Sequence, residues 1–271
     1  MKDIARFLWT PILAFCVLTF ETSISNASYS PPLTRVRIDE TRLHHTPSYV
    51  FASQTTATNS LDINLQVNGL QYLGQFESRH GYGIQVGATL GTSEITGTFS
   101  NLSDLFGQDL SVSANGILFG WQARAYYMLW ESESSENQRP HALTSFVNLR
   151  GLIYDAEDRG YRQTLQLRSN SVTAGVGAMA EFSIHDYISI CPYAWLTPNL
   201  NTSLTYGTEN VQFDSSRSFN LRNPLIVGVD VWIYPFPNNW EDHISLSFLG
   251  SFIDTEDKGE NLFAGVIGYT F

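Results

Sequence analysis

Four charged residues stand where charge is hardest to keep. Arg124, Arg150, Glu181 and Asp230 each interrupt an apolar, alternating segment, and each falls on its polar face. Two are positive and two negative. An unpaired charge in a narrow interior is costly, so the four are expected to pair with one another or to face water. One reading is a structural ion-pair network filling a closed interior; the other is a constriction that tunes ion passage, as rings of charge do in channels. Phe146, Tyr154, Tyr193, Trp195 and Trp232 share that face and predict a crowded lumen rather than a wide pore.

Other candidate chemistry is thinner. The chain has no Gly-x-Ser-x-Gly, no His-Glu-x-x-His and no phosphate-cradling glycine loop. His141 with Ser145, and His243 with Ser245 behind Asp242, are the pairs a hydrolase could use as base and nucleophile. Adjacent strand residues face opposite ways, which separates Asp242 from His243, and no catalytic residue is assigned. The acidic stretches Asp155 to Asp158 and Asp254 to Glu260 lack the spaced ligands and glycine of a calcium loop and read as solvated turns. No cofactor and no metal are expected.

The segments that must position the four charges alternate with a period of two. Leu61, Ile63, Leu65 and Val67 are followed, across Asn68-Gly69, by a shifted set at Leu70, Tyr72, Gly74 and Phe76, which a hairpin or a bulge in one long strand would equally produce. Tyr82 to Leu90 alternates next, then Gly91 to Ala114 reads as a long polar loop. Ile117 to Leu129 is the clearest strand, closed by Trp130 beside Tyr126 and Tyr127 as an interfacial girdle would be. Further strands are expected around Leu143 to Ile153, Val172 to Ile184, Ile188 to Leu200, Leu225 to Ile233 and Ile244 to Phe252. His185-Asp186 reads as a tight turn, 155–171 and 207–223 as long connections, and Tyr161 to Arg168 as a loop hairpin or a strand extension. The final strand sets Phe263, Gly265, Ile267, Tyr269 and Phe271 on one face.

Composition narrows the class. The chain of 271 residues has a formal charge of −11, which argues against nucleic acid as a partner. Met1 to Arg6 is followed by an apolar run to Phe20 and by Ser25-Asn26-Ala27, the pattern of a signal peptide cleaved before Ser28. Cys191 is then the one cysteine left, so no internal disulfide is expected. Aromatic residues are abundant at 13%, yet no later segment is apolar enough for a membrane helix. A barrel crosses with strands that are apolar on one face only and average out in hydropathy.

The closing strand, with Tyr269 and Phe271 at its end and apolar residues at alternate positions before them, resembles that of the Gram-negative outer-membrane β-barrel proteins. The resemblance implies an all-β, transmembrane, antiparallel up-and-down barrel of about ten strands, with eight or twelve as alternatives. It implies residues 1–27 as signal peptide, 28–60 as a periplasmic lead or a plug, within which Tyr49 to Ala52 could begin a strand, and 61–271 as the barrel. Phe271 is expected at the periplasmic side, with long connections outside. The location it implies is the bacterial outer membrane, and the partners it implies are that membrane's lipid and the barrel-assembly machinery, for which Phe263, Ile267, Tyr269 and Phe271 would form the closing-strand signal. The function expected is structural or that of a narrow pore, for a small solute. Adhesion to a surface ligand through outer loops, and hydrolysis, are the alternatives. The oligomeric state is open.

Overall fold

In the computed structural model the described residues are 41–58, 61–99, 110–132, 140–158, 165–197, 199–208, 211–220, 225–236, 242–255 and 258–271. The signal-peptide expectation, and the lead or plug reading of residues 28–40, lie outside them. Twelve strand segments follow in order: β1 (Arg42–Thr58), β2 (Leu61–Glu77), β3 (Tyr82–Phe99), β4 (Leu110–Glu131), β5 (Ala142–Asp158), β6 (Leu165–His185), β7 (Ile188–Leu196), β8 (Asn199–Thr208), β9 (Val211–Asn220), β10 (Leu225–Ile233), β11 (His243–Thr255) and β12 (Lys258–Thr270). No helix occurs among the described residues. The lower half of β6 pairs with β7 and its upper half with β8, while β10 pairs with β7 and β9 with β8. The segments β7 and β8 therefore make one wall strand and β9 and β10 another. The result is a closed ten-stranded antiparallel barrel, sealed where β12 pairs with β1.

Three expectations are corrected here. The barrel begins at Arg42 rather than at residue 61, because β1 supplies both the seam with β12 and the first pairing with β2. Asn68-Gly69 is neither hairpin nor bulge: β2 runs straight through it, in unbroken register with β1 and β3. The strands also occupy much of what reads as outer loops. Within Gly91 to Ala114 residues 91–99 and 110–114 are strand, within 155–171 residues 155–158 and 165–171 are strand, and 207–223 includes all of β9. Connection lengths consequently do not distinguish the two rims. The tight turn near His185 is present, at Asp186 and Tyr187.

At Asn68-Gly69 the alternation of side chains continues and the apolar set changes face. Leu65 is 1% exposed and Leu70 is 69% exposed. Below this level Tyr72, Ile84, Val86, Leu90, Phe119, Tyr127 and Val147 point outward as a lipid belt. From Ile117 to Leu129 the strand rises roughly 40 Å, which at the usual tilt spans roughly 28 Å, a bilayer core. Above it Gln66, Asn68, Glu94, Ser113, Asn115 and Asp155 point outward, and Val50, Leu65, Val67, Ile95 and Leu118 point in. This upper collar has the polarity of a water-soluble barrel. Gly69 pairs with Gly91 at the change of level, and a Cβ on Gly91 would lie 2.4 Å from the Asn68 carbonyl oxygen, so only glycine permits the strands to approach this closely there.

The wall is uneven. Pairing between β6 and β7 lapses between Met179–Tyr193 and Phe182–Ile190, at the level of lipid-facing Pro192, which has no N–H to donate across the ladder. At the seam, the His45 N–H donates to the Phe271 carbonyl (3.0 Å) and the Phe271 N–H to the His45 carbonyl (3.1 Å). Removing Phe271 takes away both bonds, each worth about 1 kcal/mol in water and more in lipid. The truncated protein is expected to accumulate poorly as folded barrel in the outer membrane. Heat-modifiable mobility in membrane fractions checks this, and an unchanged folded amount would contradict it.

Candidate functional site

The lumen is the candidate site, and register builds it. On adjacent strands Gln122 pairs with Arg150 and Arg124 with Asn148, so the two arginines lie on a diagonal of the β4–β5 wall. Asp230 pairs with Cys191, and Glu181 projects from β6 nearby. All four charges are buried: Arg124 is 2%, Arg150 1%, Glu181 4% and Asp230 0% exposed. The Arg124 guanidinium lies over the Phe146 ring at 4.8 Å and that of Arg150 over Trp195 at 5.5 Å, cation–π contacts that strengthen when desolvated. Tyr193 stacks on Trp195 at 5.3 Å. On the strands that follow β5, Ser189 Oγ of β7 donates to Glu181 Oε1 of β6 (3.3 Å) and Trp232 Nε1 donates to Asp230 Oδ2 within β10 (3.2 Å). Arg124 and Asp230 attract one another across the interior.

Glycines on neighbouring strands are the sockets for these large side chains. A Cβ on Gly177 would lie 2.4 Å from the Trp195 Cβ, and one on Gly228 2.4 Å from the Tyr193 ring. Alternating large and small residues across facing positions lets these side chains interdigitate. Toward the lower rim Gln71, Gln75 and Gln85 link β2 and β3 by amide hydrogen bonds, and Gln75 Nε2 donates to the Tyr126 hydroxyl (2.9 Å). Toward the upper rim Val50, Leu118, Leu152, Ile226, Leu249 and Val266 form an apolar layer, none more than 3% exposed. Phe146, Tyr154, Tyr193, Trp195 and Trp232 are all buried inside. The interior is thus a polar, charged floor beneath an apolar lid, crowded with buried side chains.

No protein-family model matches the chain, and no curated protein does. Solved structures do. The outer-membrane protease OmpT of Escherichia coli superimposes over 89% of this chain and 99% of its own, with TM-score 0.58 at 8% identity. The translocator domain of the autotransporter NalP from Neisseria meningitidis covers 99% of both chains, with TM-score 0.50 at 11% identity. The chain has the fold of the Gram-negative outer-membrane β-barrels. Identity this low carries the fold and nothing of either protein's activity.

Within this barrel the residues considered for hydrolysis lie at two separate places on the wall. His141 Nδ1 accepts the Ser183 N–H (3.2 Å) and its own N–H donates to Ser132 Oγ (2.8 Å), which ties the β4–β5 connection to β6. Ser145 faces outward and donates to the Tyr127 carbonyl (3.3 Å). His243 is fully buried between Trp232 and Tyr234, with Ser245 on the same inner face. No cluster of His, Cys, Asp or Glu able to hold a metal occurs among the described residues. Phe263, Ile267, Tyr269 and Phe271 all point outward. The lower-rim aromatics Tyr72, Tyr82, Tyr127 and Trp130 point outward too, as a girdle requires; Tyr126, read with them in the sequence, points inward to Gln75.

Proposed function

We propose that this outer-membrane barrel is a closed structural scaffold that holds its collar and outer connections above the membrane as a surface for interaction. The observation that carries this reading is the packed lumen, with its four charges almost wholly buried beneath an apolar layer. A narrow pore is the second reading, favoured by the presence of both signs of charge in the interior. The lipid of the outer membrane and the machinery that assembles its barrels are the partners on either reading, and the lipid-facing closing strand is the part that machinery would engage.

Single-channel recording on the refolded protein in a planar bilayer, with Arg124→Ala alongside, separates the two. The scaffold predicts inserted but silent barrels. Discrete steps in the native protein, altered by the substitution, would replace the scaffold with a pore whose constriction includes the lumen charges.

A further inference from the structure

The basic wall of the lumen carries more hydrogen-bond donors than the protein answers. Gln122 Nε2, Asn148 Nδ2 and Trp195 Nε1 are buried without an acceptor, and Asn148 Oδ1 is likewise unmatched, so exchanging its amide atoms does not relieve it. A buried donor left unmatched costs about 1–3 kcal/mol, and such a group in a native interior calls for an ion or a water. These three side chains surround the arginines: Gln122 is in register with Arg150, Asn148 with Arg124, and Trp195 lies beneath the Arg150 guanidinium. The two arginines repel one another across this patch. The negative groups of the interior, Glu181 on β6 and Asp230 on β10, take hydrogen bonds from Ser189 and Trp232. Gly175 and Gly177 leave the intervening inner face of β6 bare, which brings the β5 and β7 side chains together.

We propose that this patch is a binding site for a small monovalent anion of halide or nitrate size, held between Arg124 and Arg150 by the side-chain N–H groups of Gln122, Asn148 and Trp195. Guanidinium and amide donors suit an anion because charge-assisted hydrogen bonds are about twice as strong as neutral ones, and the anion offsets the repulsion between the arginines. The packed interior excludes large organic anions. The site stands whether or not the lumen conducts.

The test is thermal unfolding of the refolded full-length protein in neutral detergent, titrated with sodium bromide against sodium gluconate at constant ionic strength. Bromide is expected to raise the unfolding temperature by several degrees along a saturating curve. Trp195→Phe and Gln122→Leu, which each delete donors and keep both arginines, are expected to move the midpoint of that curve about tenfold toward higher bromide. In crystals grown with bromide an anomalous peak is expected between the two guanidinium groups. Equal stability in bromide and gluconate would overturn the proposal, because waters would then be answering the donors. A non-saturating rise shared by the native protein and both variants would overturn it too, since that is a bulk salt effect.

Discussion

Arg124→Ala is expected to lower the unfolding free energy by about 3–5 kcal/mol, the usual consequence of removing one partner from a buried set of charges. Arg124 is 2% exposed and its charge stabilises Asp230, which is 0% exposed. The substitution leaves Asp230 with the Ser247 hydroxyl and the Trp232 indole but without the attraction of Arg124, and it strips the cation from the face of Phe146. Denaturant unfolding of the barrel in lipid measures the loss. Arg79→Ala, at an exposed turn on the lower rim, is the comparison and should change stability by no more than about 0.5 kcal/mol. If both variants lose the same small amount, the lumen charges are not a structural network.

An arginine placed at Val86 is expected to cost about 2–4 kcal/mol, whereas the same residue placed at Gln66 should be nearly silent. Both positions face outward, on β3 and β2, and ordinary strand reasoning treats them alike. They differ in solvent. Val86 is 54% exposed in the middle of the lipid belt, and Gln66 lies above the change of polarity at Gly69. Refolding equilibria of Val86→Arg and Gln66→Arg in one lipid decide the point. Equal costs would move the membrane edge to the upper rim and make the collar part of the span.

These substitutions also mark how far the sequence could be read. Alternation places lipid and lumen faces wherever a strand crosses hydrocarbon, because only one face is then apolar; Ile117 to Leu129 shows it plainly, and Arg124 falls on the inner side for the same reason. The signal fails where the surroundings change. In β2 the apolar set moves from Leu65 and Val67 to Leu70 and Tyr72 because the outer solvent changes from water to lipid, and local pattern alone reads this as a turn or an inserted residue. The collar portions of β3 and β4 resemble loops for a related cause: Thr92, Glu94, Ser113 and Asn115 face water, so their polarity is that of a loop. In β1, His45 and Pro47 interrupt the outer face between Leu43 and Tyr49, and the lumen side holds His44, Thr46 and Ser48, so a barrel strand carries the composition of a tail. The packed interior was legible only as crowding. That Gly177 and Gly228 receive Trp195 and Tyr193 depends on cross-strand register, which no single segment encodes.

The collar also gives insertion a direction. Its outer face carries Glu94 and Asp155 above the belt, and these carboxylates must traverse hydrocarbon if the finished barrel is to slide back through the membrane. The upper strands thus behave as a barb. Easy to tolerate once in water, they oppose withdrawal by a barrier that grows with every polar side chain dragged inward, so the protein is held in place kinetically as well as by the equilibrium of its lipid belt.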